Sequence, residues 1–252
     1  MGTRLAGCTV LSLRPVGGHA ALRRAAADEG ARLLALSPWR LAMRGDPATR
    51  KSLQRALAAP VVVFTSPAAV AGAAGLLPLQ VPPGARWLAV GSGTLQALRR
   101  AGADAVARER MDTEGLLALP QLQAVAGCDI GLVTAPGGRG ELAPELTRRG
   151  ARVLRADVYE RIPVPASARA IAALLELRGC AWLALSSGEA LALVLAALPA
   201  DARAALLRAD VVAASERLAA IARGHGFRRA VVAASARPRD LVAAAASAHP
   251  LA

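Results

Sequence analysis

The side chains best suited to chemistry in this chain are small and hydroxylated, and they recur at matching places in two stretches. Val61 to Pro78 reads VVVFTSPAAVAGAAGLLP, and Trp182 to Pro199 reads WLALSSGEALALVLAALP. Each is an apolar run, a hydroxylated turn and a helical segment, with Thr65-Ser66 and Ser186-Ser187 in the turns. A second pair follows. WLAVGSGTLQALRRAGADAVA (Trp87 to Ala107) carries Gly91 and Thr94, and VVAASERLAAIARGHGFRRAVVA (Val211 to Ala233) carries Ser215. TEGLLAL (Thr113 to Leu119) and RDLVAAA (Arg239 to Ala245) then close the two copies. A turn that ends a strand and opens a helix offers free backbone N–H groups and a partial positive charge. Small residues let a ligand approach that backbone, and hydroxyls add donors without bulk. The chemistry this favours is the holding of an anion. Arg14 and Arg139 sit in turns and suit bidentate pairing with carboxylates, although exposed arginines are abundant here. Thr94 and the serines serve equally well as helix N-caps, and Thr65 as the end of a strand.

Stronger acid–base machinery is missing from the pattern. No histidine is placed to activate a serine, and no paired carboxylates occur at a useful spacing. Gly17-Gly18, Gly91-Ser92-Gly93 and Gly137-Gly138 each fall short of a full GxGxxG, so a nucleotide is not indicated. Tyr159 is the only tyrosine. It has two readings, a proton donor or an interfacial ring with an incidental hydroxyl, because a phenol with a pKa of about 10 is a poor acid at neutral pH.

The elements that must position these residues alternate. Cys8 to Leu13 reads as a buried strand, Arg14 to Gly18 as a turn, His19 to Glu29 as an amphipathic helix ended by Gly30, and Ala31 to Leu36 as a second strand stopped by Ser37-Pro38. A helix is expected near Thr49 to Ala58, and a strand over Ile130 to Thr134. The glycine-rich turn Ala135 to Gly140 and a helix over Glu141 to Arg149 follow. Arg152 to Ile162 alternates as one extended strand ending at Pro163. Apolar runs alternating with helices predict an α/β fold with parallel sheets flanked by helices. Repetition at this scale predicts two similar lobes with a cleft between them. A lone βαβ opening, a complete copy and then the second copy predict that one lobe is inserted into the other. On this reading residues 1–37 pair with 163–252, residues 38–162 form the inserted lobe, and two extended linkers run near 33–41 and 153–162.

Composition narrows the partners. The formal net charge is +13. Aromatics are only 2%, too few for the stacking platforms of single-strand nucleic-acid binding. Lys51 is the only lysine, so an arginine-rich bias accounts for part of the charge. The expected order is a solvated basic surface, then a carboxylate-rich small molecule, then nucleic acid. Mean hydropathy is +0.38, yet charges or prolines break every apolar run before the roughly 18 residues a membrane span needs. Leu5-Ala6-Gly7-Cys8 imitates a lipoprotein box, but no apolar segment precedes it. Cys8, Cys128 and Cys180 are far apart in sequence, which predicts buried free thiols in a reducing cytoplasm. His19, His225 and His249 show no metal-ligand spacing with each other or with cysteine, so no metal is expected.

Taken in order, the turns resemble the uroporphyrinogen-III synthase family over nearly the whole chain. The motifs are Leu13-Arg14-Pro15, Phe64-Thr65-Ser66-Pro67, Val90-Gly91-Ser92-Gly93-Thr94, Thr113-Glu114-Gly115-Leu116-Leu117, Gly137-Gly138-Arg139, Gly150-Ala151-Arg152-Val153, Val158-Tyr159-Glu160-Arg161, Ser186-Ser187-Gly188-Glu189 and Ser215-Glu216-Arg217-Leu218-Ala219. The resemblance implies an enzyme that removes the hydroxyl of hydroxymethylbilane as water, inverts the last ring and closes the macrocycle. It implies no metal or organic cofactor, a cytoplasmic monomer, neither nucleic acid nor membrane as partner, and transient hand-over from the enzyme that makes the substrate. It puts Tyr159 where a proton donor would assist loss of the hydroxyl. Arg14, Thr65, Ser66, Gly91, Thr94, Gly138, Arg139, Ser186, Ser187 and Ser215 become the expected substrate contacts. The chain departs from the family at Leu13, where a threonine is usual, at Thr134-Ala135, where Arg-Gly is common, and at Ala214 to Arg217, where Gly-x-x-Thr is common. A two-lobed binding protein that senses an anionic metabolite without turnover is the rival reading. It uses the same turns and has no need of Tyr159.

Overall fold

A computed structural model describes residues 3–103, 117, 119–137 and 142–249. The chain divides into two compact units, Met1–Arg40 with Ile162–Ala252, and Leu41–Arg161. Elements are numbered in chain order. The first unit contains β1 (Thr9–Ser12), α1 (Ala20–Asp28), β2 (Arg32–Ala35), α6 (Ala168–Leu175), β9 (Ala181–Leu185), α7 (Gly188–Ala197), α8 (Ala200–Leu207), β10 (Asp210–Ala213), α9 (Glu216–Gly224), β11 (Ala230–Val232) and α10 (Pro238–Ala248). The second contains α2 (Pro47–Leu57), β4 (Val61–Phe64), α3 (Pro67–Leu76), β5 (Arg86–Ala89), α4 (Ser92–Arg100), a 3-10 turn (Pro120–Leu122), β6 (Asp129–Thr134), α5 (Leu142–Arg148) and β7 (Arg152–Asp157). Two further strands, β3 (Trp39–Met43) and β8 (Tyr159–Pro163), form a two-stranded sheet where the chain passes from one unit to the other. The α/β architecture therefore holds, and the first unit is discontinuous in sequence.

The sheet of the first unit runs β11-β10-β9-β1-β2, and that of the second β5-β4-β6-β7. The recorded pairings in both are parallel. Register is direct at the centre of each: Val10 faces Trp182 across β1 and β9, and Val62 faces Gly131 across β4 and β6.

Why these runs are continuously apolar follows from helices on both faces. In β4 to β6, Val62, Phe64, Trp87 and Val133 pack with Leu53, Ala56, Ala69 and Val70 of α2 and α3. The alternate residues Val63, Leu88, Ile130 and Leu132 pack on the other side with Leu122, Leu142 and Leu146. A strand buried on both faces cannot alternate with polar residues. In the first unit, Val10, Trp182, Ala184 and Val212 meet α1 and α10 through Leu22, Ala26, Leu241 and Val242. Alanine supplies much of this core. It carries little area per residue but lets helices lie close to the sheet, and at Gly131 the backbone of Ala56 approaches so closely that any Cβ would overlap its carbonyl.

Four expectations need correction. Arg152 to Ile162 is not one strand: it breaks at Val158 into β7 and β8, which belong to different sheets. Helices α6 and α8 add to the expected elements: both are short and alanine-rich, α6 capped by Ser167, which accepts from Ala170 N–H, and α8 without a side-chain cap. The thiols are not all free, for Cys8 and Cys180 are disulfide-bonded across a sequence separation of 172. Cys128 is exposed, not buried. The segment Thr113 to Leu119 that closes the first copy lies outside the described residues except for Leu117 and Leu119.

Candidate functional site

In an open parallel sheet, ligands settle outside the carboxyl ends of the strands, at the point where strand order reverses. Each unit has one such point. In the first, the chain winds from β1 to β2 in one direction and from β9 through β10 to β11 in the other, so the reversal lies between β1 and β9. In the second, the reversal lies between β4 and β6. The candidate residues cluster at these ends.

In the first unit, β1 delivers Arg14, which is half-buried. Burial lowers its pKa from the ordinary arginine value, and its guanidinium donates to the carbonyl of Ala236 at 3.4 Å. Beyond β9, Ser186 leads to Ser187, the N-cap of α7, whose Oγ accepts from the N–H of Ala190 at 3.2 Å. Beyond β10, Ser215 caps α9, accepting from Leu218 N–H at 3.4 Å. A serine cap uses one acceptor position and leaves the hydroxyl proton free to donate elsewhere.

In the second unit, Thr65 immediately follows β4, and its hydroxyl donates to Thr134 Oγ1 at 2.9 Å across the reversal point. Ser66 caps α3, accepting from Ala69 N–H at 3.1 Å. Its Oγ also lies 3.0 Å from the hydroxyl of Tyr159. Tyr159 is only 4% exposed and packs in the core beside Val70 and Val158, so its ring is structural whatever its hydroxyl does. Gly91 opens α4 at a φ of +96°, a conformation that side chains other than glycine rarely adopt. Thr94 is not the cap. It sits in the first turn of α4, 1% exposed, and donates to Val90 O at 2.6 Å. Its proton is thereby committed inside the protein. Gly138 and Arg139 lie outside the described residues; Gly137, at the end of that turn's described part, has a φ of +66°.

A polar group was missed. His19 is 7% exposed, with one ring nitrogen 2.9 Å from Ser12 Oγ and the other 2.8 Å from Ser37 Oγ. It ties the ends of β1 and β2 together beside Arg14. Burial, and then the charges of Arg23 and Arg14, pull its pKa below the ordinary histidine value. The sequence signal was faint: a histidine right after Gly17-Gly18, with both serines at strand ends. The first unit also has an apolar groove of about 260 Å³ lined by Leu36, Pro38, Pro163, Val164 and Leu193 among others. No lining residue is charged, so it does not suit a carboxylate-rich ligand. No helix among the described residues is long and apolar enough to cross a membrane.

Comparison with known proteins meets this geometry. The family model described as uroporphyrinogen-III synthase HemD matches residues 6–243. The uroporphyrinogen-III synthase of Salmonella typhimurium is 34% identical over 158 residues, 62% of this chain and 64% of the relative. That of Escherichia coli is 31% identical over 153 residues, 60% of this chain and 62% of the relative. The aligned part thus spans less than two thirds of either relative's length. Among solved structures, a mutant uroporphyrinogen III synthase from the extremely thermophilic bacterium Thermus thermophilus superposes with a TM-score of 0.63 at 20% identity, covering 94% of this chain and 96% of that one. The uroporphyrinogen-III synthetase of Helicobacter pylori gives 0.58 at 12% identity, covering 95% and 98%. These distant structures speak for the fold alone. The family model spans both units and every described turn at the two reversal points, and on that match this chain belongs to the uroporphyrinogen-III synthase family.

Proposed function

We propose that this chain is a uroporphyrinogen-III synthase, a cyclising hydro-lyase that converts hydroxymethylbilane to uroporphyrinogen III in tetrapyrrole (haem) biosynthesis. The observation that carries this reading is the family match over residues 6–243. The reversal point in each unit supports it, because each is bordered by hydroxylated helix starts.

The substrate carries an acetate and a propionate on each of four rings. Such a ligand needs many donors over a wide surface more than it needs one strong acid. The helix starts at Ser66, Gly91, Ser187 and Ser215 present backbone N–H groups and the positive end of a dipole. Arg14 and Arg139 add guanidinium forks, and Thr65, Gly138 and Ser186 complete the proposed contact set, while Thr94, its proton committed to Val90 O, holds the start of α4 instead. On this reading each lobe, residues 1–37 with 163–252 and residues 38–162, supplies its own set of these contacts.

Departure of the hydroxyl is driven by the pyrrole nitrogen, whose electron pair pushes out the leaving group and leaves an azafulvene. The oxygen departs as water if a proton reaches it. The Tyr159 hydroxyl, held at 3.0 Å by Ser66, is the proposed donor, with the proton returned after closure. The larger share of catalysis is geometric. Holding the last ring's substituted carbon against the electrophilic methylene is worth up to about 7–11 kcal/mol when the approach is well oriented. Excluding bulk water protects the reactive intermediate. The enzyme works as a cytoplasmic monomer without organic cofactor, and receives its labile substrate by transient hand-over.

Incubation with enzymatically generated hydroxymethylbilane tests this. Chromatography should show mostly isomer III. Isomer I alone, the product of uncontrolled closure, would sink the assignment.

A further inference from the structure

At the edge of the first unit's sheet opposite to its candidate site, three side chains converge that the proposed reaction does not use. Cys8 immediately precedes β1 and Cys180 immediately precedes β9, and the parallel register that pairs Thr9 with Ala181 sets them side by side. Their Cα atoms are 4.7 Å apart. His249 follows α10 and leans over the pair, with Nδ1 3.5 Å from Cys180 Sγ and Nε2 3.7 Å from Cys8 Sγ. One ligand atom from each residue falls within 4.8 Å of the others. Sequence spacing gave no hint, because the three are brought together from positions 8, 180 and 249 by the sheet and the last helix.

We propose that the reduced form of Cys8, Cys180 and His249 is a binding site for a thiophilic d10 cation, with zinc as the representative ion. Two thiolates and an imidazole are the donor set that zinc favours, in a tetrahedral arrangement with a fourth position left to solvent. The geometry agrees. Zinc bonds of about 2.3 Å to sulfur and 2.0–2.1 Å to nitrogen place tetrahedral S and N ligands about 3.5 Å apart; only one ring nitrogen can be the ligand, and whichever serves already lies near that distance from one sulfur, with the other sulfur free to approach once the disulfide is opened. Reduction frees the sulfurs to part by rotation about Cα–Cβ, with no change needed in the strands. His249 is also the C-cap of α10, so the cation would meet the negative end of that helix. Cys8 is 1% exposed and shields the site, while Cys180 and His249 are half-buried and give ions and reductants a way in.

The chemistry closes. A water-soluble phosphine attacks the disulfide; with one water it becomes the phosphine oxide, and two thiols are formed. Zinc then displaces both thiol protons to solvent and takes the imidazole as a neutral ligand. Disulfide and metal are therefore mutually exclusive states of the same cysteines. The site lies at the amino ends of β1 and β9, whereas the residues assigned to the substrate lie at carboxyl ends. The inference consequently stands apart from the proposed reaction, and its test needs no turnover.

The full chain is reduced with tris(2-carboxyethyl)phosphine, freed of phosphine and titrated with zinc against a chromophoric chelator, and in parallel with cobalt. Reduced protein should bind one equivalent, and cobalt should show thiolate charge-transfer bands with the intense visible bands of tetrahedral coordination. Oxidised protein should bind none. Cys128→Ser, which alters the exposed remaining cysteine, should bind as the parent does. His249→Ala leaves both cysteines in place and should bind at least about tenfold more weakly, the scale expected on losing a group that supports a metal site. Cys8→Ser and Cys180→Ser should lose the cobalt charge-transfer signature. No binding by the reduced chain, equal binding by the oxidised chain, or unchanged affinity in His249→Ala would each overturn the proposal.

Discussion

Tyr159 serves two masters, since its ring belongs to the core and its hydroxyl reaches a helix cap. The variants Tyr159→Phe and Ser66→Ala separate these roles. Tyr159→Phe keeps the ring and leaves Ser66 Oγ bonded to Ala69 N–H, so stability should fall by about 1 kcal/mol or less. If the phenol delivers the proton, kcat for isomer III should nevertheless drop sharply while KM holds. Ser66→Ala removes the cap as well, which costs about 1 kcal/mol of stability by itself, and should lower both the urea midpoint and kcat. An unchanged kcat in Tyr159→Phe would reduce the tyrosine to a packing role. At this scale the sequence was partly legible. A hydroxyl before a helix is a local signal, so Ser66, Ser187 and Ser215 were recognisable as caps. The commitment of Thr94 to Val90 O was not, because it depends on which turn of the helix the threonine enters. The pairing of Ser66 with Tyr159 spans 93 positions and left no trace in either segment.

Elements are held by close approach and by charge at their ends. Gly131 lies in β6 under α2, where a Cβ would overlap Ala56 O. Gly131→Ala should destabilise the chain by about 3 kcal/mol, the upper end of the usual overpacking cost, because a rigid helix backbone cannot yield as a side chain would. Urea unfolding measures it; an unshifted midpoint would mean that α2 can slide. In α5, Glu145 pairs with Arg148 and Arg149, and hydrogen bonds from these arginines lower its pKa to about 2. A carboxylate depressed in the folded state stabilises above its unfolded pKa of about 4.3, and that contribution is lost as pH falls toward 2. Wild type should therefore lose stability across that window by more than Glu145→Gln does, as urea midpoints at stepped pH would show. Parallel slopes would exclude the linkage. Periodicity and composition made the strands and most helices readable, since a run buried on both faces must be apolar throughout. The break at Val158 was unreadable, because β7 and β8 share one alternating pattern and only their different partners divide them.

For the molecule as a whole, the net charge of +13 is the feature with a kinetic consequence. A cationic surface speeds capture of a polyanion, and salt screens the attraction over about 8–10 Å at physiological strength. The kcat/KM for hydroxymethylbilane should fall steadily with added sodium chloride while kcat changes little. A flat profile would assign the charge to arginine bias alone. What the chain's order of residues determined by itself was the duplication, the α/β class and the places where strands give way to hydroxylated helix starts, all of which are written in local patterns of apolarity, small residues and caps. Tertiary structure alone decided which strands are neighbours. That choice puts the order reversals between β1 and β9 and between β4 and β6, aims Arg14 and Ser187 at one and Thr65 and Ser66 at the other, and brings Cys8, Cys180 and His249 together. Strand pairing is a long-range selection among many compatible apolar runs, so no window of the sequence contains it.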